Sequence, residues 1–192
     1  RARSLEIMEK AVSLADDLGI RIIQLAGYDV YYEEGTGESE KYFRENLAKA
    51  VAMAAHKGIL LGFETMETPF MDTTQKAMNY VERINSPYLG IYPDGGNLTN
   101  AAKLYGTDVL EDLETGRGHL VALHLKETVP GKYREIPFLT GHVDFPGLIQ
   151  KAWELGVRRY VTEMWDVGRP TWKEDICFAS SAMSKLLDEA AA

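Results

Sequence analysis

Four residues in this chain have the types and the spacing to share one hard cation: Glu64, Asp94, His124 and Glu163. Each stands at the end of a short apolar run. Leu60-Leu61-Gly62-Phe63 precedes Glu64, Leu89-Gly90-Ile91-Tyr92-Pro93 precedes Asp94, Leu120-Val121-Ala122-Leu123 precedes His124, and Tyr160-Val161-Thr162 precedes Glu163. Their separations of 30, 30 and 39 residues are each about one strand–helix unit. Three carboxylates and one imidazole suit Mn²⁺, Mg²⁺, Co²⁺ or Zn²⁺. Taken singly, each has an ordinary explanation. Glu64 and Asp94 could cap a helix or solvate a loop, and His124 lies between two leucines as a core histidine would. Glu163 stands apart, because a buried carboxylate requires a partner. The coincidence at four successive strand ends favours a common site.

The elements that must position these residues follow from periodicity. Leu5, Met8, Val12, Ala15 and Leu18 recur at helical spacing, with Ser4 as the expected cap and Gly19 as the stop. Further helices are expected over 39–57, 73–84, 98–104, 108–114, 145–155 and from Thr171 to about Glu189. Asp72 with Gln75, and Thr171 with Glu174, read as capping boxes. Asp144 is the expected cap of the 145–155 helix, with Pro146 in its first turn. Short apolar strands are expected over 21–26, 59–64, 88–92, 119–124 and 159–163. Strands alternating with helices predict parallel βαβ units in an α/β protein, here a single domain over 1–192.

Two architectures share that alternation. A doubly wound sheet usually announces a nucleotide site with a glycine-rich first turn, and neither GxGxxG nor a P-loop pattern occurs. A (β/α)8 barrel instead gathers the C-terminal ends of its strands on one rim, where active sites sit. That is where the four candidates fall. Strand alternation would turn Leu60 and Gly62 inward with Glu64, Gly90 and Tyr92 with Asp94, and Leu120 and Ala122 with His124, leaving room behind the polar heads.

Composition narrows the function classes. The 192 residues carry a net charge of −8, which argues against a nucleic-acid partner. No apolar run approaches the roughly 18 residues that span a bilayer, and Arg1 to Ser4 lead straight into a helical pattern with no signal-peptide signature. Cys177 is the one cysteine, expected to be an inert thiol on a buried helix face of a cytoplasmic protein. His119 and His56 read as structural. Trp165, Trp172, Tyr28 and Tyr92 could wall a pocket, although core packing explains any one of them.

The runs 61–67, 92–98, 121–128 and 162–165, together with 22–32, resemble the L-ribulose-5-phosphate 3-epimerase family among the xylose-isomerase-like barrels. The likeness extends along essentially the whole chain. It implies that the chain starts at the third helix of such a barrel, so that about five strands are present. It implies 3-epimerisation of a ketopentose phosphate, L-ribulose 5-phosphate or L-xylulose 5-phosphate, through an enediolate. Mn²⁺ is the favoured ion, because a divalent cation polarises the C2 carbonyl and acidifies the C3–H bond. Glu64 and Glu163 would be both metal ligands and the acid/base pair, Asp94 and His124 ligands only. Lys126, Lys132 and Arg134 are candidates for the phosphate, and a homodimer is plausible on the resemblance alone. Competing readings are an aldose–ketose isomerase, an AP-endonuclease-like barrel and a non-catalytic sugar-binding barrel. Four histidines and an acidic balance count against the DNA enzyme.

Overall fold

A computed structural model describes residues 2–192; Arg1 lies outside the described residues. Helices and strands alternate: α1 (Ala2–Asp17), β1 (Ile22–Ala26), α2 (Gly37–His56), β2 (Leu60–Glu64), α3 (Thr74–Ile84), β3 (Leu89–Tyr92), α4 (Gly95–Tyr105), α5 (Val109–Thr115), β4 (Leu123–Leu125), α6 (Phe145–Glu154), β5 (Tyr160–Thr162) and α7 (Trp172–Ala191). Strands β1, β2 and β3 pair in parallel, as do β4 and β5. Parallel bridges Ile91↔Leu120 and Asp94↔His124 join the two groups. The result is one arc of five parallel strands in chain order with its helices outside, the wall of a (β/α) barrel. Among the described residues no helix is long and apolar enough to cross a membrane.

Alternation along the strands builds two apolar layers beneath the helices. Leu61, Phe63, Leu89 and Ile91 point outward and pack with Val12, Leu47, Val51 and Val81 from α1, α2 and α3. Leu123 and Leu125 do the same with Leu148 and Ile149 of α6 and Ala179 and Met183 of α7. Each such buried side chain contributes about 1.5–3 kcal/mol of burial free energy. This outward set forces the opposite residues, including Glu64 and His124, onto the inner face.

The inner face departs from simple alternation at one place. The expected strand over 119–124 is regular only over Leu123–Leu125. Upstream of it, Ile91 donates to His119 O and Val121 donates to Ile91 O, both at 2.8 Å. Leu120 is turned outward and packs against both apolar layers. Val121 points inward instead, and its methyls occupy the space that Gly62 and Gly90 leave: a Cβ on Gly62 would meet Val121 Cγ2 at 2.8 Å, and one on Gly90 would meet Cγ1 at 2.5 Å. The inward direction expected of Leu120 therefore belongs to Val121, because an irregular step before Leu123 resets the alternation. The space behind the polar heads is filled.

Several local expectations shift as well. Helix α1 begins before Ser4, so Ser4 is inside it. Thr73, not Asp72, caps α3 by accepting from Lys76 N at 3.2 Å. Asp72 is drawn instead to Lys76 Nζ at 2.6 Å and Tyr105 OH at 2.6 Å. Thr171 makes no side-chain cap on α7; its hydroxyl lies 3.4 Å from Asp175. Cys177 is exposed, because α7 buries Ala179 and Met183 and turns Cys177 to the other side.

Gly90→Ala tests the close fit of β3 against the 119–121 segment. Its Cβ would also meet the backbone oxygen of His119 at 2.7 Å, an atom with little freedom to move. We expect a stability loss of about 1–3 kcal/mol in urea unfolding; an unchanged midpoint would mean that the two segments are not held this closely.

Candidate metal centre

The four strand-end residues meet. One donor atom from each of Glu64, Asp94, His124 and Glu163 lies within 4.8 Å of the others. His124 Nδ1 stands 2.8 Å from Glu64 Oε1, 3.0 Å from Glu163 Oε2 and 3.8 Å from Asp94 Oδ2. Each carboxylate has one oxygen engaged elsewhere. The Gln24 amide on β1 donates to Glu64 Oε2, the Trp165 indole donates to Glu163 Oε1 at 3.1 Å, and Asp94 Oδ1 caps α4 by accepting from Asn97 N at 2.7 Å. The Asp94 backbone is pinned too, its N–H donating to Thr65 Oγ1 at 2.9 Å. Three oxygens are thus left facing one imidazole nitrogen.

The electrostatics follow from crowding. Asp94 is fully buried, and burial pushes its carboxyl up to about 6, with the Lys126 ammonium opposing and the neighbouring Glu163 reinforcing that shift. Burial alone would lower His124, but hydrogen bonding to Glu163 and Glu64 outweighs it and raises the imidazole to about 9. Burial likewise opposes ionisation of Glu163, yet its bond to His124 and the charge of Lys126 hold it down at about 2. Asp94 Oδ2 is buried and is met by the Lys126 ammonium, whose Nζ is 3.0 Å away. The separations of His124 Nδ1 from the three oxygens, 2.8, 3.0 and 3.8 Å, are of the size found between donors around a cation bound at about 2.1 Å, and with three carboxylates and one imidazole the residues present fit a divalent metal.

The remaining expected site residues divide. Lys126 is buried against the cluster, its Nζ also 3.8 Å from Glu163 Oε1. Arg134 donates to Glu67 Oε1 at 2.8 Å and lies over the Trp165 ring at 4.6 Å. Through Trp165 it reaches the same mouth as Glu163. Lys132 is exposed, with its Nζ 3.7 Å from Glu135. Gln24 and Glu67 are site neighbours that spacing does not single out, whereas Tyr28, a candidate pocket wall, donates from its OH to Glu67 at 2.5 Å beside Arg134. Gln24 was legible only as a polar residue inside the apolar run 22–26. Beside the cluster, a cavity of about 610 Å³ is lined by Lys126, Glu127, Glu163, Trp165, Ile136 and Trp172 among others.

A xylose isomerase-like TIM barrel family model matches residues 1–181. The chain belongs to that family. The L-ribulose-5-phosphate 3-epimerase UlaE of Shigella boydii serotype 18 is 43% identical over 166 residues, 86% of this chain. The chain spans 57% of that relative's length. Among solved structures, a D-tagatose 3-epimerase-like protein superposes with a TM-score of 0.82 at 18% identity, covering 100% of this chain and 72% of that one. Two further barrels align at 17% identity and TM-score 0.75: one from Mycobacterium smegmatis in complex with magnesium, covering 100% of this chain and 69% of that one, and the IOLI protein with a zinc atom, covering 96% and 69%. At these identities the superpositions establish the fold.

Because a ligating imidazole must be unprotonated, a proton on His124 competes with metal. Its raised value, about 9, sets the direction: Mn²⁺ affinity should climb through pH 6–9 by about tenfold per unit for each proton released. Isothermal titration in buffers of different ionisation enthalpy reads that proton directly. Affinity that is flat over this range would remove His124 Nδ1 from the ligand set.

Proposed function

We propose that the chain works as one domain carrying the metal-holding and proton-transfer wall of a 3-epimerase acting on a ketopentose phosphate, L-ribulose 5-phosphate or L-xylulose 5-phosphate. The observation that carries this reading is the gathering of four donors, three carboxylates and one imidazole, within 4.8 Å. Glu64, Asp94, His124 and Glu163 would hold one divalent ion, Mn²⁺ or another exchangeable cation. Such an ion supplies Lewis acidity, making the hydrogen at C3 of a ketose removable.

The rest is work for side chains. Epimerisation takes a proton from one face of C3 and returns one to the other, which asks for two opposed bases. Glu64 leaves from β2 and Glu163 follows β5, so the two carboxylates come from different strands, and they reach His124 Nδ1 at 2.8 and 3.0 Å. Gln24 fixes one carboxylate and Trp165 the other, so each presents a single oxygen to the centre. Arg134, held between Glu67 and the Trp165 face, is the cation we assign to the phosphate end. Lys132 remains a weaker candidate in the same loop, and Lys126 is engaged by Asp94 and Glu163. The 43% identity to an L-ribulose-5-phosphate 3-epimerase supports the C3 assignment over aldose–ketose isomerisation.

Proton NMR of L-ribulose 5-phosphate incubated with Mn²⁺-loaded protein in D₂O separates the readings. Deuterium at C3 is expected, and label at C1 or C2 would favour the isomerase. Glu163→Gln should retain the wild-type circular dichroism spectrum and lower C3 exchange by about 10²-fold or more. Exchange at the wild-type rate in that variant would exclude Glu163 from proton transfer.

A further inference from the structure

The charge count at the cluster singles out Lys126. It follows β4 by one residue and shares the inward side with His124; its side chain is only 7% exposed. Burying an ammonium is unfavourable without anionic partners. Here there are two, Asp94 Oδ2 at 3.0 Å and Glu163 Oε1 at 3.8 Å. Both belong to the four-donor cluster. The neighbouring Glu127 is already occupied, its Oε1 accepting from the N–H groups of Thr128 and Val143 at 3.1 and 3.2 Å. Among the described residues, Lys126 therefore directs its charge at the donor set.

The three carboxylates, Glu64, Asp94 and Glu163, carry three negative charges. A divalent ion with a neutral His124 would leave one of them uncompensated. Lys126 supplies that last charge. A trivalent ion at the same place would already neutralise the carboxylates and would then be repelled by the lysine. We propose that Lys126 is a positioning residue that matches the cluster to a divalent rather than a trivalent cation, by placing one fixed positive charge against Asp94 and Glu163. This rests on the metal reading above. It also explains why a lysine is buried beside a cation site: its repulsion of the ion is the source of the selectivity.

The test compares Mn²⁺, read by electron paramagnetic resonance, with Tb³⁺, read by sensitised luminescence, in metal-free wild type, Lys126→Met and Lys126→Arg. Each extra unit of charge on the ion feels the lysine once more. Removing it should therefore raise the Tb³⁺-to-Mn²⁺ affinity ratio by about tenfold or more. Lys126→Arg keeps the charge and should stay within about twofold of wild type. A ratio unmoved in Lys126→Met would overturn the proposal while leaving the metal site intact. If that variant does not fold, Lys126→Gln is read the same way. Loss of fold in both neutral variants, with Mn²⁺ present, would make Lys126 a purely structural ion pair and also overturn it. Wild-type protein that binds neither ion would instead sink the metal reading itself.

Discussion

Three carboxylates cannot share a buried mouth without positive charge among them. Two unit charges about 4 Å apart repel by about 4 kcal/mol at an effective dielectric near 20, and the oxygens of Glu64, Asp94 and Glu163 are brought to such distances. The chain answers with His124 at the centre and Lys126 at the side. Much of the surrounding structure serves to keep these groups in place. Asp94 is trapped between its own helix cap and Thr65, Glu64 is tied to the first strand through Gln24, and Glu163 is tied to its loop through Trp165.

That arrangement depends on parallel strands. The outward apolar residues of β2, β3 and β4 lock against α1, α2, α3, α6 and α7, which fixes the opposite direction for the polar ends. The bridge Asp94↔His124 then sets the height of the two central side chains directly, with His124 N donating to Pro93 O at 2.8 Å. Packing on one side of the sheet thus determines chemistry on the other. Val121, set against Gly62 and Gly90, fills the inner face of the arc behind the strand ends.

Much of this was readable from residue order, because strand ends are marked by a change from apolar to polar and their spacing is that of a βα unit. The helix boundaries over 39–57 and 145–155 agree with α2 and α6 to within a few residues. What escaped the pattern has physical causes. Leu120 and Val121 exchange faces because the strand is irregular before Leu123, and alternation cannot foresee a skipped step. Asp72 lost the cap to Thr73 because Lys76 and Tyr105 claim its carboxylate from α3 and α4. Cys177 is exposed because the apolar stripe of α7 is narrower than its composition suggests. Lys126 carried the same basic signal as Lys132 and Arg134, and only geometry separates a cation turned into the carboxylates from one over an aromatic ring and one in solvent.

Whether Glu64, Asp94, His124 and Glu163 bind a single ion decides the rest. An anomalous difference map from a crystal soaked in Mn²⁺ measures this most directly. One strong peak is predicted, in bonding contact with His124 Nδ1 and with a carboxylate oxygen of each of the three acids. A peak at Glu67 or Glu127 instead, or one touching only two of the four, would contradict the account.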